Sequence, residues 1–387
     1  MDRTGLLCRI GAGLSTEPAT SGAVRAASEA ASPSEIVDLA FLFLSHEHAD
    51  RIEDAVDVAR EVLRPAHLIG CVAEGVIGGP REVEAGPAAA VWAASLPGAE
   101  LESFHAVAID TGRGTVVAGF PEGDASLVTM LADPFSFPAA SFLSRLNDHR
   151  PGLPVVGGLA VAGEPAGTAA LLLDDGIHEE GAVGVAIAGV PVVTVVSQGC
   201  AAFGREAVVT HADGNIVYEL AGEPALSRLR GELEKLTPEQ QHLASRGILA
   251  GVVIDENRAE YGRGDYLMRS LLGADEDSGA LALGDRVRVG QTLRFHIRDA
   301  RTADDDLRES LGSSLAGQRP AGALLFSCNG RGTRMFSESD HDAALVAKSV
   351  EDGAVAGFFC GGEIGPVGGQ SFVHAFTATL AVFLRNP

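Results

Sequence analysis

The sequence predicts a mixed α/β (α+β) protein in which helices cover mixed β-sheets. Three observations carry that expectation. Apolar, strand-like runs alternate with helical periodicity along most of the chain. Glycine is abundant, 48 of 387 residues, while aromatics make up only 5%, which suits tight turns and small-residue packing. A unit of strand, helix, strand, glycine turn and strand recurs in about three copies.

Residues 1–35 hold no apolar core of signal-peptide length, and ATSGAVRAASEA reads as a short capping helix. The first copy opens with the strand LAFLFLS (39–45). A helix follows, IEDAVDVAREVL, with Ile52, Val56, Ala59, Val62 and Leu63 on one face, then HLIGCVAEGVIGG (67–79) and AAAVWAASL. The second copy runs SLVTMLAD (126–133), a helix with Phe142, Leu143 and Leu146, PVVGGLAVAG (154–163) and TAALLLDD. The third runs ALLFSCNG (323–330), a helix capped by Ser339 or Asp340, VAGFFCGGEIGPVGG (355–369) and FVHAFTATLAVF. Gly70, Gly75 and Gly78 match Gly357, Gly362 and Gly365; the middle copy matches at Gly158 and Gly163 and slips one residue to Gly167.

Between the second and third copies, GAVGVAIAGVPVVTVV (181–196) reads as two buried strands split by Gly189 and Pro191. EAVVTHADGNIVYEL holds Asp213-Gly214 between alternating runs, a hairpin signal. EPALSRLRGELEKL sets Leu226, Leu229, Leu233 and Leu236 on one helical stripe. ILAGVVID, YLMRSLLG, ALALGDRVRVG and QTLRFHIRDA read as strands, and TADDDLRESLGSSLAG as a helix with an acidic first turn. The expected organisation is a segment 1–35, a domain 36–222 and a domain 223–387.

A formal net charge of -23 argues against nucleic-acid binding and against docking on anionic lipid. The apolar runs are shorter than the ~20 residues a membrane helix needs. Five scattered cysteines with no CxxC fit reduced thiols, and so a cytoplasmic location.

His46, His48 and Asp50 follow the first strand in a spacing that resembles the start of a dinuclear zinc site. Arg51 stands where that motif needs histidine, and the matching stretches LADPFSF and SCNGRG hold none. The histidines are read as solvated loop residues, and no metal or cofactor is expected. The richest loop is SCNGRGTRMFSESDHD (327–342), between a buried strand and a helix. Cys328, Asn329, Gly330 and Gly332 offer an anion-attracting turn there, and Arg331 with Arg334 a clamp for a carboxylate or phosphate. In GFFCGGEIG, Gly362 and Glu363 form a second candidate, with Glu363 where the first copy has Val76; Glu74 occupies a similar turn. A third is Ser197, Gln198 and Cys200 at a strand end. No Walker A loop, GxGxxG turn, kinase motif or HExxH helix is present, so no complete catalytic motif supports an enzyme.

At IGCVAEGVIG, LADPFSFP, LPVVGGLA, EGAVGVAIAG, VVSQGC, GNIVYELAGEPAL, YGRGDYLMRSLLG, VGQTLRFHIRDA, LLFSCNGRGTRMF and AGFFCGGEIGPVGG the chain resembles the FIST family, the F-box and intracellular signal transduction domain. The resemblance spans about residues 36–383, with the division near 222 matching the family's two halves. It implies an intracellular sensory module that binds a small ligand such as an amino acid and signals through a separate output protein. The loop residues then become ligand contacts, with Arg331 for a carboxylate and Glu363 for an ammonium. One alternative is a cysteine-dependent hydrolase or amidotransferase using Cys328 or Cys200, with His211, His341 or His374 as base. Another is a protein-interaction scaffold without a ligand.

Overall fold

The apolar run Leu39–Ser45 forms a strand buried at every position, as a strand covered on both faces must be. Such strands organise a computed structural model that describes residues 8–33, 36–162 and 170–385. By packing, the chain divides into two units. The first joins residues 1–196, 307–373 and 377–387, and the second joins 197–306 with 374–376. Gly163 and Gly167 of the middle copy lie outside the described residues.

Three sheets build the first unit. Numbered along the chain, one runs β1 (Arg9–Ser15), β6 (Ala89–Ser95), β2 (Leu39–Ser45), β3 (His67–Ala73), β11 (Leu171–Leu173), β12 (Gly176–His178). The next runs β25 (Gln370–His374), β24 (Glu363–Val367), β10 (Val155–Leu159), β9 (Leu127–Ala132), β13 (Ala182–Ala188), β7 (Glu100–Asp110), β8 (Thr115–Ala118). The last runs β14 (Val192–Gln198), β26 (Thr377–Leu384), β22 (Pro320–Cys328), β23 (Val355–Cys360), β4 (Val76–Gly78), β5 (Arg81–Val83).

One arrangement recurs in all of them. A parallel pair, β2–β3, β9–β10 or β22–β23, is joined by a helix: α2 (Ile52–Leu63), α3 (Ala139–His149) or α7 (His341–Ser349). An antiparallel strand closes one side, and a hairpin from a distant part of the chain closes the other. Thus β4–β5 completes the β22–β23 sheet, β11–β12 the β2–β3 sheet, and β24–β25 the β9–β10 sheet. Each visiting hairpin also grips the helix of the sheet it joins. Asp175 meets Arg60 of α2 at 2.5 Å. Ser371 exchanges hydrogen bonds with the Asn147 side chain of α3 at 2.9 and 3.0 Å. Glu82 accepts the Ala343 N–H of α7 at 2.9 Å.

Gly70, Gly157 and Gly357 sit opposite Leu42, Met130 and Leu325 on the parallel partners. A Cβ there would lie 2.1, 1.9 and 1.7 Å from the facing carbonyl oxygen, closer than any side chain tolerates. The middle position is Gly157, one residue before the Gly158 aligned by sequence spacing. Side chains from all three sheets meet in one core that includes Phe41, Phe43, Trp92, Leu131, Val156, Phe326, Phe358 and Phe383. Within it the rings of Phe43 and Phe358 are 5.4 Å apart, and those of Trp92 and Phe383 4.9 Å.

The capping segment forms α1 (Thr20–Ala31), which buries Ala23, Val24 and Ala27. It also corrects the reading of the histidines. His46 is largely exposed, but His48, expected in solvent, is fully buried, with Nδ1 3.0 Å from Thr20 Oγ1. Helix α1 supplies the cover that the local sequence does not reveal.

The second unit is an antiparallel barrel. Its strands run β15 (Cys200–Asp213), β21 (Thr292–Arg298), β18 (Ile248–Val253), β19 (Tyr266–Asp275), β20 (Ala280–Leu283), β16 (Ile216–Leu220), and β15 pairs again with β16 to close the ring. Closure leaves no open edge among these six. Alternate residues such as Phe203, Val209, Val217, Leu281, Leu293 and Phe295 fill it, together with Leu226 and Leu229 of α4 (Ala225–Leu233).

Candidate functional site

In the first unit, β22 is buried and apolar up to Cys328, where the chain turns. Asn329 N–H donates to Cys360 O at 2.9 Å and Arg331 N–H to Cys328 O at 2.8 Å, which folds the loop back over the carboxyl ends of β22 and β23. Ligands collect at such strand ends in α/β sheets. Gly330 N–H points at the Cys328 sulfur at 3.4 Å. Gly332 holds φ +54, and a Cβ there would lie 2.6 Å from the Glu84 carboxylate. Glycine is therefore required on both counts.

Arg331 is wholly buried and forms a two-pronged pair with Asp342: Nε to Oδ2 at 2.6 Å and Nη2 to Oδ1 at 2.8 Å. Ser327 Oγ also donates to Asp342, at 2.9 Å. Burial alone would raise the Asp342 carboxyl, but Arg331 overrides it and holds the group well below the usual carboxylate range. Burial likewise works against the Arg331 charge, and Asp342 more than restores it. The clamp seen from sequence is thus engaged by the protein's own carboxylate, while the third guanidinium nitrogen, Nη1, stays buried without a hydrogen-bond partner.

Glu363 is equally buried. Its Oε2 accepts from Thr377 N–H at 3.1 Å and Thr377 Oγ1 at 2.9 Å, while Oε1 makes no hydrogen bond to nitrogen or oxygen. Burial pushes its carboxyl up to about 8, against the opposing pull of Thr377, Cys328 and Arg331. Gly362 uses its carbonyl to accept Leu159 N–H at 2.8 Å.

Arg334 lies at the surface and pairs with Glu74. Its Nη1 donates to Asn329 O at 2.7 Å, and Asn329 Nδ2 reaches Glu74 Oε2 at 3.4 Å. Glu74, Gly75, Glu84, Asn329, Arg334 and Phe359 line a cleft of about 30 Å³. That holds a water or two, far below the ~300 Å³ of ordinary ligand pockets.

Ser197, Gln198 and Cys200 fall in the second unit. Gln198 donates its backbone N–H to Asp306 at 2.6 Å and its side-chain amide to Tyr266 O at 2.7 Å. Cys200 packs with Leu249, Val253, Tyr266 and Met268. The structure therefore brings Cys328, Asn329, Gly330, Arg331, Gly332, Arg334, Gly362 and Glu363 into one unit, and Ser197, Gln198 and Cys200 into the other.

Sequence reasoning missed Asp342, Thr377 and Glu82. Asp342 follows the expected cap and reads as an ordinary first-turn acid. Asp340 begins α7 at φ 65 and does not cap it with its own side chain; its Oδ1 accepts Glu82 N–H at 2.7 Å instead. Glu82 caps the helix from 261 residues away, which no local pattern encodes. Its burial, with Asp342 beside it, pushes its carboxyl up to about 7.

The FIST N domain matches residues 38–223 and the FIST C domain residues 225–366. The chain belongs to the FIST family. FIST domains are regarded as sensory signal-transduction domains. This FIST chain is 44% identical over 387 residues to the uncharacterized protein Rv0628c of Mycobacterium tuberculosis, covering 97% of this chain and all of that one. It is 41% identical over 386 residues to the uncharacterized protein Mb0898c of Mycobacterium bovis, covering 98% of this chain and 99% of the relative. No helix among the described residues is long and apolar enough to cross a membrane.

Proposed function

We propose that this FIST protein is a cytoplasmic sensor that binds a small amino acid or carboxylate at the ends of β22 and β23 and signals through a separate output protein. One observation carries the reading. Arg331 and Glu363 are both fully buried; Arg331 Nη1 has no hydrogen-bond partner, and Glu363 Oε1 has none on nitrogen or oxygen. Buried polar atoms without partners are costly, and a ligand that satisfies both removes that cost. The ligand's carboxylate meets Arg331 Nη1. Its ammonium meets Glu363, which is mostly protonated at neutral pH and yields its proton as the cation arrives. Cys328, Asn329, Gly330, Gly332, Arg334 and Gly362 shape the approach, whereas Gln198 and Cys200 make their contacts within the second unit. The five buried, unbridged cysteines support a reducing compartment.

Thermal unfolding against a panel of amino acids and small carboxylates tests this. A ligand at about 100 times its Kd adds about 2.7 kcal/mol, and the expected result is a selective upward shift with one compound or a narrow class. A flat response across the panel contradicts the reading.

A further inference from the structure

Arg331 and Glu363 are sealed from solvent, and the adjacent cleft of about 30 Å³ is too small for an amino acid. Whatever reaches Arg331 must displace the loop that follows it, residues 332–341, whose Phe336 ring centre lies 5.3 Å from the guanidinium carbon, and the β4–β5 hairpin with its flanks holds that loop along its length. Glu74 receives Arg334 and Asn329. Glu84 takes Thr333 N–H at 2.8 Å and Thr333 Oγ1 at 2.9 Å. Glu82 takes Ala343 N–H at 2.9 Å, just past the loop's other end. Glu74 and Glu84 work near solvent, but Glu82 is 8% exposed, and its Oε2 is buried without a partner.

Resting on the reading of this site as a ligand site, we propose that residues 332–341 form a lid over Arg331, and that Glu82 is its proton-controlled latch. The groups facing Glu82 are Asp342 and Asp340 at the start of α7 and Glu84 on its own side of the hairpin. The cationic groups beyond them are Arg331, already engaged by Asp342 through two nitrogens, and His341, whose Nδ1 lies 3.0 Å from Asp342 Oδ1. Protonated, Glu82 accepts the Ala343 N–H and adds no charge to this cluster. When its proton passes to solvent, a further carboxylate is confined among like charges. The helix N-terminus favours an anion there, but burial and the neighbouring carboxylates outweigh it, since the group sits near 7. Ionisation therefore loosens the first turn of α7 and the lid joined to it.

Hydrogen–deuterium exchange of the whole protein at pH 6 and pH 8.5, scaled for intrinsic rates, tests the latch. Relative to the buried strand β9, protection of residues 329–343 should fall about tenfold at the higher pH in the wild type. Glu82→Gln should keep its protection at both pH values. Glu84→Gln should lower protection at both and retain the pH response; it decides the question with the wild type should Glu82→Gln not fold. Protection of the wild-type lid that is independent of pH, or a Glu82→Gln response equal to the wild type's, overturns the proposal. A pH response in a protein that binds no compound of the panel upholds the latch and rejects the ligand reading; ligand binding without the pH response does the reverse.

Discussion

Asp342→Ala should destabilise the first unit by about 3–5 kcal/mol, because it strands the Arg331 charge in a site with no access to water. The comparison that isolates the cause is Arg331→Met combined with Asp342→Leu. Replacing both partners by apolar groups of similar size removes the isolated charge, and the double variant should recover most of the loss. Denaturant unfolding at pH 7 measures both. A loss under about 1 kcal/mol for Asp342→Ala would place the pair in the class of weak, solvent-screened bridges, in conflict with its burial.

The second large effect is a loss of the stabilisation from two buried carboxyls as pH rises from about 4.5 to about 8. Glu363 has its folded pKa raised to about 8 and Glu82 to about 7, both above the ordinary value of 4.5. In that window these two groups hold protons that the unfolded chain has released, so their contribution to stability declines with pH, while His296, held down to about 4 by burial, contributes in the opposite direction up to about 6.5. Stabilisation from the two carboxyls is complete below about 4.5 and lost above about 8. Glu363→Gln keeps an acceptor for Thr377 and cannot ionise. Its advantage over the wild type should be near zero at pH 4.5 and on the order of 3–5 kcal/mol at pH 9. Urea midpoints measured at half-unit steps give the profile. Parallel curves for the two proteins contradict the assignment.

Much of this was legible in the sequence because it is local. Buried strands such as Leu39–Ser45 announce themselves by unbroken apolar runs, the split of residues 181–196 into β13 and β14 follows Gly189 and Pro191, and the β15–β16 hairpin follows Asp213-Gly214. The loop at Arg331 was visible as glycines and arginines after a strand. Its electrostatics were not, because its partners arrive from elsewhere. Glu82 comes from a hairpin that leaves its own sheet to complete another, and Thr377 from the start of β26. The burial of His48 depends on α1 in the same way. A side chain's charge state is set by the groups folded around it, and those contacts span up to 261 residues of chain here.

The central claim is that Arg331 and Glu363 together receive a small ligand. Calorimetric titration of wild type and Glu363→Gln with the standard amino acids and small carboxylates, in two buffers of different ionisation enthalpy, tests it most directly. The expected result is binding of one compound or a narrow class to the wild type with a buffer-dependent heat from proton release, weakened at least about tenfold, or about 1.4 kcal/mol, in the variant. Equal affinity in the two proteins, or no binding to either, would contradict it.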